Sequence, residues 1–163
     1  MDKYVDNYPF LWITQRKPMF IGEFRHSIDQ KGRIAIPAKF RAKLSGGAII
    51  TKGLDNSRCL YVLTTKDWEV FAQKIVSASV GKADSRALAR HILSGASDVV
   101  LDSQGRILIP DTLRRYAGLG KEAVVVGVYN RMEIWDVKAW NDYKAKTESQ
   151  SEEIAEKLSE LGI

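Results

Sequence analysis

Two stretches of the chain carry one hydrophobic signature. Arg33-Ile-Ala-Ile-Pro37 and Arg106-Ile-Leu-Ile-Pro110 each place isoleucines two apart behind an arginine, the period of a short strand packed on its isoleucine face. The closing proline cannot sit in mid-strand but suits the first turn of a helix. Short helices are therefore predicted over Pro37 to Leu44 and Pro110 to Ala117, each stopped by a glycine, Gly46 or Gly118. Within them Phe40/Leu44 and Leu113/Ala117 recur at i, i+4 and face a core, which leaves Arg41, Lys43, Arg114 and Arg115 largely outside. Ahead of each strand, Asp29 to Gly32 and Asp102 to Gly105 read as tight turns. The Asp side chain can bond backbone two residues on, and Gly takes positive φ without cost.

These two stretches belong to a longer internal repeat. Aligned at an offset of 73, residues 28–41 and 101–114 are identical at seven of fourteen positions, far above the roughly one in sixteen expected by chance. Ala48-Ile-Ile-Thr51 answers Ala123-Val-Val-Val126, and Leu60-Tyr-Val-Leu63 answers Met132-Glu-Ile-Trp135. One unit, used twice, reads as strand, Gly turn, strand, short helix, strand, turn, strand. Helical patterns fill the rest. Thr65 can cap a helix carrying Trp68, Phe71 and Ile75, and Asp84 can start one carrying Leu88 and Ile92 before Gly95. Asp136 opens a third with Trp140 and Tyr143, and Ser151 opens an acidic fourth with Ile154, Leu158 and Leu161 on one stripe and Glu153/Lys157 at i, i+4. These stripes are expected to make core or subunit contacts.

Composition narrows the class. The 163 residues are 45% apolar and 28% charged, which suits a folded globular chain and fits neither a disordered one nor a disulfide scaffold. Cys59 is the single cysteine; it forms no intramolecular disulfide and reads as a small buried hydrophobe in a chain kept reduced. The longest apolar runs, Tyr8 to Ile13 and Ala123 to Val128, fall well short of the roughly 18 residues of a membrane helix. Met1 to Pro18 carries Asp2 and Asp6 and lacks both a basic start and a small-residue cleavage site, so a cytoplasmic protein is expected.

The net charge of +5 is unevenly placed: six basic residues against Glu23 and Asp29 over 19–50, but four basic against seven acidic over 136–163. A basic front and an acidic tail favour a nucleic-acid partner without requiring one. Chemistry of other kinds is not advertised. His26 and His91 have no His or Cys partner at ligand spacing, so no metal is expected. The phosphate-binding G-x-x-x-x-G-K-[ST], the dinucleotide G-x-G-x-x-G and the nucleophile elbow G-x-S-x-G are all missing from the sequence. Neither a cofactor nor an enzymatic activity is expected.

The turns Asp29-Gln-Lys-Gly-Arg33 and Asp102-Ser-Gln-Gly-Arg106, each followed by Ile-x-Ile-Pro, together with Met19-Phe-Ile-Gly-Glu23, resemble the MraZ family of bacterial transcription factors. The likeness runs from about Met19 through Tyr143; one Gly-Arg-Ile-x-Ile-Pro alone would suggest only the wider SpoVT-AbrB group. The resemblance implies a mainly β fold with helices (α+β), two tandem AbrB-like units forming a double-split β-barrel type of fold. It divides the chain into an N-terminal extension (1–18), unit 1 (19–65), a helical connector (66–95), unit 2 (96–140) and a C-terminal helical tail (141–163). It further implies a homo-oligomeric ring, associated with the nucleoid and not with membranes, that binds double-stranded DNA. The DNA is expected to be direct repeats in the promoter of the division and cell wall gene cluster, the protein's own gene included.

By that resemblance the DNA surface is the pair of turns: Asp29, Lys31 and Arg33 in the first, Asp102 and Arg106 in the second. Each arginine can pair with its own aspartate or fork onto guanine or a phosphate, so a purely turn-locking ion pair stays open. Lys31, Arg25 and His26 would supply mostly phosphate contacts. Gln104 stands where the first turn has Lys31, and the first turn is expected to dominate. Residues 1–18 precede the usual family start, either as an upstream start with Met19 the initiator or as an added segment. The competing reading is a ring-forming scaffold whose basic surface is incidental.

Overall fold

The computed structural model describes residues 19–54, 56–78 and 81–163; the expectations for residues 1–18 lie outside it. Along the chain run β1 (Phe20–Ser27), β2 (Arg33–Ala35), α1 (Ala38–Arg41) continued by a 3-10 turn over Ala42–Leu44, β3 (Ala48–Lys52), β4 (Leu60–Thr64), α2 (Thr65–Ala78) and α3 (Ala83–Ser94). The second half repeats the β pattern with β5 (Ser97–Val99), β6 (Arg106–Leu108), α4 (Asp111–Tyr116), β7 (Glu122–Tyr129) and β8 (Arg131–Asp136), then adds α5 (Val137–Ser149) and α6 (Ser151–Glu160). Both predicted units are present in the predicted element order.

The strands pair across the units. One six-stranded sheet has the order β1-β7-β8-β4-β3-β5, and a separate ribbon pairs β2 with β6; every pairing is antiparallel. Exchanging the repeats (β1 for β5, β3 for β7, β4 for β8) reverses the sheet order and leaves it otherwise unchanged, so the fold has a pseudo-dyad between β4 and β8. Each unit lends its first strand to the other, β1 to β7 and β5 to β3.

Alternation sorts the sheet residues onto two faces. Phe20, Ile50, Leu60, Val62, Val125, Met132 and Ile134 line one, where Ile34, Ile36, Phe40, Ile107, Ile109 and Leu113 of the ribbon and the short helices close over them. Phe40 meets Phe20 edge-on with ring centroids 5.1 Å apart, a favoured aromatic geometry. Tyr61, Leu63, Val124, Val126 and Trp135 line the other face, covered by Trp68 and Phe71 of α2 and Trp140 of α5. A third small cluster, Ile75 with Ala89 and Ile92, joins α2 to α3. Glu133 is buried on the helix face, and both its oxygens are used: Oε1 accepts from Arg131 at 3.0 and 2.8 Å, and Oε2 accepts the Trp135 indole N–H at 2.9 Å, the pairing a buried charge requires.

Several local expectations are refined. Helices hold more of the described chain than strands do, so the fold is mixed α/β and not mainly β. No pairing among the described residues closes β1 onto β5 into a barrel. Thr64, one residue before the predicted cap, starts α2: its hydroxyl accepts from Asp67 N–H at 3.1 Å and donates to the Asp67 carboxylate at 2.9 Å, a reciprocal capping arrangement. Pro37 and Pro110 are the N-caps of α1 and α4 and not their first helical residues. Leu88 points outward, because the buried stripe of α3 is Ala89 and Ile92. Asp136 caps α5 as expected, accepting from Ala139 N–H at 3.0 Å. Phe40, Leu44, Leu113 and Ala117 are all buried, as the i, i+4 spacing requires. Among the described residues no helix is long and apolar enough to cross a membrane.

Candidate nucleic-acid interface

The β2–β6 ribbon is three residues long and has one buried side. Ile34 faces Ile107 across it, and both are inaccessible to solvent; on the outward side Arg33 pairs with Leu108 and Ala35 with Arg106. A turn enters the ribbon at each end. Gly32 (φ +85°) and Gly105 (φ +74°) lie in the left-handed region that the sharp reversal needs. Ile109 N–H donates to Gly32 O and Ile36 N–H to Gly105 O, both at 2.9 Å, so each turn is stitched to the opposite repeat.

Each aspartate is the organiser of its turn. Asp29 Oδ1 accepts from the backbone N–H of Lys31 at 3.0 Å and of Arg33 at 2.9 Å, while Oδ2 accepts Arg33 Nε–H at 2.7 Å. Asp102 does the same with Gln104 N–H at 2.9 Å, Arg106 N–H at 2.9 Å and Arg106 Nε–H at 2.8 Å. The turns are also linked directly, since Arg106 Nη1 lies 3.8 Å from Asp29 Oδ2. The carboxylate therefore holds the Nε edge of its arginine, and at Arg106 one terminal nitrogen also reaches the aspartate of the other turn. Aspartate pairing thus uses the Nε edge of each guanidinium and is compatible with a second partner at the other edge, whose forked donors suit a guanine edge or a phosphate.

Both carboxyls titrate below the usual carboxylate range, chiefly because the backbone amides of Arg33 and Arg106 donate to them, with the arginine side chains adding to the effect. A depressed folded pKa contributes stability at neutral pH that is lost as pH falls through that value. We expect wild type and Asp29→Asn to differ in thermal midpoint at pH 7, the difference shrinking as pH falls below the ordinary aspartate value of about 4 and vanishing only below the depressed folded value, where the aspartate of the wild type is itself protonated; melts recorded across that range check it.

Two arginines that the sequence reading left outside complete the site. The Arg41 guanidinium lies against Gly105, and that of Arg114 against Gly32, so a Cβ on Gly32 would meet Arg114 Cζ at 2.6 Å. Arg41 Nε donates to Ile36 O at 2.9 Å. These glycines thus serve a second purpose that composition does not signal, providing seats for arginines of the opposite repeat. Gly118 supplies the control, with φ +62° and no atom within 4 Å of a built Cβ. Gly118→Ala is expected to cost only the backbone term, about 1–2 kcal/mol. Gly32→Ala and Gly105→Ala should lower the melting midpoint further, because each must also expel a guanidinium.

The remaining sequence-predicted residues are not all together. Lys31 and Gln104 are exposed within the turns. Arg25 is exposed, but its register opposite Val124 puts it on the helix-covered face of the sheet, away from the side the ribbon closes. His26 lies on the ribbon side, and burial, followed by the charge of Arg41, lowers its pKa below the ordinary histidine value. A surface hollow of about 600 Å³ between Lys43, Thr65 and Tyr129 lies apart from this site, and the carboxylate lining it, Asp67, is occupied in capping α2.

The family model described as MraZ protein, antitoxin-like, matches twice in tandem, over residues 19–91 and 92–161. The chain is 48% identical over 145 residues to the transcriptional regulator MraZ of Natranaerobius thermophilus, covering 89% of this chain and all of the relative. It is 49% identical over 145 residues to that of Moorella thermoacetica, with the same coverage. To that of Desulforamulus reducens it is 48% identical over 143 residues, covering 88% of this chain and 99% of the relative.

Proposed function

The chain belongs to the MraZ family, and from that premise we propose that it is a sequence-specific DNA-binding transcriptional regulator acting on repeated boxes in the promoter of the division and cell wall gene cluster, its own gene included. The observation that carries this reading is the outward face of the ribbon. There Arg33 and Arg106 are each fixed at Nε by an aspartate in a pseudo-symmetric pair; the terminal nitrogens of Arg33 make no ion pair among the described residues, and of those of Arg106 only Nη1 reaches a carboxylate, Asp29 at 3.8 Å. A guanidinium immobilised in this way loses little entropy on forking onto guanine O6 and N7. Asp29 and Asp102 act in this reading as positioning residues. Lys31 adds a phosphate contact at the first turn that Gln104 cannot match at the second, and Arg25 contributes only at the margin.

Two arginines are a small reading head, and repetition is what makes them selective. We read the protein as a cytoplasmic, nucleoid-associated homo-oligomeric ring, whose intertwined units form the double-split β-barrel arrangement and whose repeated heads meet repeated DNA boxes with avidity. The acidic helix α6 supports assembly: none of its residues is buried, and Ile154, Leu158 and Leu161 lie exposed along one side, more apolar surface than a lone helix end needs. That same stripe favours the second reading, a scaffold that assembles without DNA.

Salt separates the two. In an anisotropy titration against the DNA upstream of the protein's own gene, with scrambled DNA as competitor, a regulator shows binding that survives competition and a log affinity that falls linearly with log salt. Equal and weak binding to both DNAs would leave only the scaffold.

A further inference from the structure

We infer that Arg41 and Arg114 are a second pair of DNA contacts, phosphate clamps that each repeat places on the turn of the other. The inference rests on the regulator reading and extends it to residues outside the two turns. Its basis is an inventory of donors at the ribbon. The amides of Lys31, Arg33, Gln104 and Arg106 are spent on the aspartates, those of Ile36 and Ile109 on the glycine carbonyls, and the Nε groups of Arg33 and Arg106 on Oδ2. What remains is a set of guanidinium ends.

Arg41 uses Nε on Ile36 O and has no ion pair among the described residues, so its two terminal nitrogens are uncommitted. Arg114 is held only loosely, with Nη2 3.4 Å from Asp111 Oδ1, and its buried Nε has no hydrogen-bond partner at all. Leaving a donor buried and unpaired is costly, and covering a glycine turn needs nothing more than methylenes. A leucine would do that work. Four guanidinium groups, Arg33, Arg106, Arg41 and Arg114, and the Lys31 ammonium therefore converge where the two turn carboxylates are already fully engaged. Such a surplus of flat, forked donors fits the one polyanion that presents oxygens at regular spacing along a line, a nucleic-acid backbone.

The cross-placement has a consequence for how the repeats act. Arg114 sits on the first turn and Arg41 on the second, so neither turn is built from one repeat alone, and the two bind as a unit.

The test is the salt slope of binding to promoter and scrambled DNA for wild type, Arg41→Gln, Arg114→Gln and Arg41→Lys, with a thermal melt of each. Phosphate clamps predict that each Gln variant lowers the slope by about one per engaged protomer. Affinity for both DNAs should fall by the same factor, because phosphates carry no sequence information, and Arg41→Lys should keep the slope. A fraction of misfolded variant changes the amplitude and not the slope. If both Gln variants keep the wild-type slope, the arginines are braces only and the inference fails. If wild type itself does not distinguish promoter from scrambled DNA, the regulator reading fails, and that outcome is visible before any variant is made.

Discussion

Arg33→Ala is expected to abolish discrimination between promoter and scrambled DNA, lowering specific affinity by about ten- to a hundredfold for each engaged protomer while leaving the fold intact. A bidentate arginine on guanine is worth about 1–3 kcal/mol of base discrimination, and in a repeated assembly the loss compounds through avidity. The fold should survive because the Asp29–Arg33 pair is about a third exposed, and solvent-screened pairs contribute little to stability. Asp29 also keeps its bonds to the amides of Lys31 and Arg33 in the variant, so the turn retains its frame. Arg106→Ala should cost less, since the second turn lacks a counterpart of Lys31. This differs from the Gln variants of Arg41 and Arg114, which should weaken both DNAs alike. Anisotropy titrations with matched circular dichroism melts measure both quantities. Unchanged promoter affinity in Arg33→Ala would reduce the turn pair to a structural device.

How much of this was legible beforehand follows from what sequence physics can encode. The alternation in Arg33-Ile-Ala-Ile, the prolines and the i, i+4 pairs are local signals, and they located β2, β6, α1 and α4 and buried the right side chains. The Asp-x-x-x-Arg spacing is also local, and the turns it marks hold the two aspartate-paired arginines, Arg33 and Arg106. Partner choice is not local. Nothing in the sequence of β1 says that it pairs with β7 and not with β3 of its own unit, because β3 and β7 are counterparts in the repeat and both are apolar strands. The seats under Arg41 and Arg114 were missed for the same reason: the i, i+4 pattern states only that these side chains leave the core, and the glycine each one covers lies in the other repeat. An arginine at the same position of both repeats, Arg41 and Arg114, was the available signal. Read with the two invariant glycines of the repeat, it pointed beyond solubility.

That exchange of strands makes a large prediction about the halves of the chain. Residues 19–95 expressed alone are expected to form no folded monomer. The fragment keeps β1 to β4 but loses every partner of β1, β2's partner β6, and β8 beside β4. Phe20, wholly buried against the ribbon side of the core, would sit on a strand with nothing to pair with. A half-chain of this size is already marginal in what it can bury, and losing residues 96–163 removes nearly half of the shared cluster. The repeat offers one escape. Because β3 is the counterpart of β7, β2 of β6 and β4 of β8, a second copy of the fragment can supply each missing partner, with β1 crossing to β3 of its neighbour. The expected result is an unfolded chain at low concentration and a dimer at high concentration, with a melting midpoint that rises with protein concentration as linked association requires. Adding residues 96–163 should give a one-to-one complex more stable than that dimer, since it restores the native pairs. Sedimentation and concentration-dependent melts decide it: a monomeric fragment with a concentration-independent, cooperative transition would mean that each unit closes its own sheet, and that the pairing of β1 with β7 is a convenience of linkage and not a requirement of the fold.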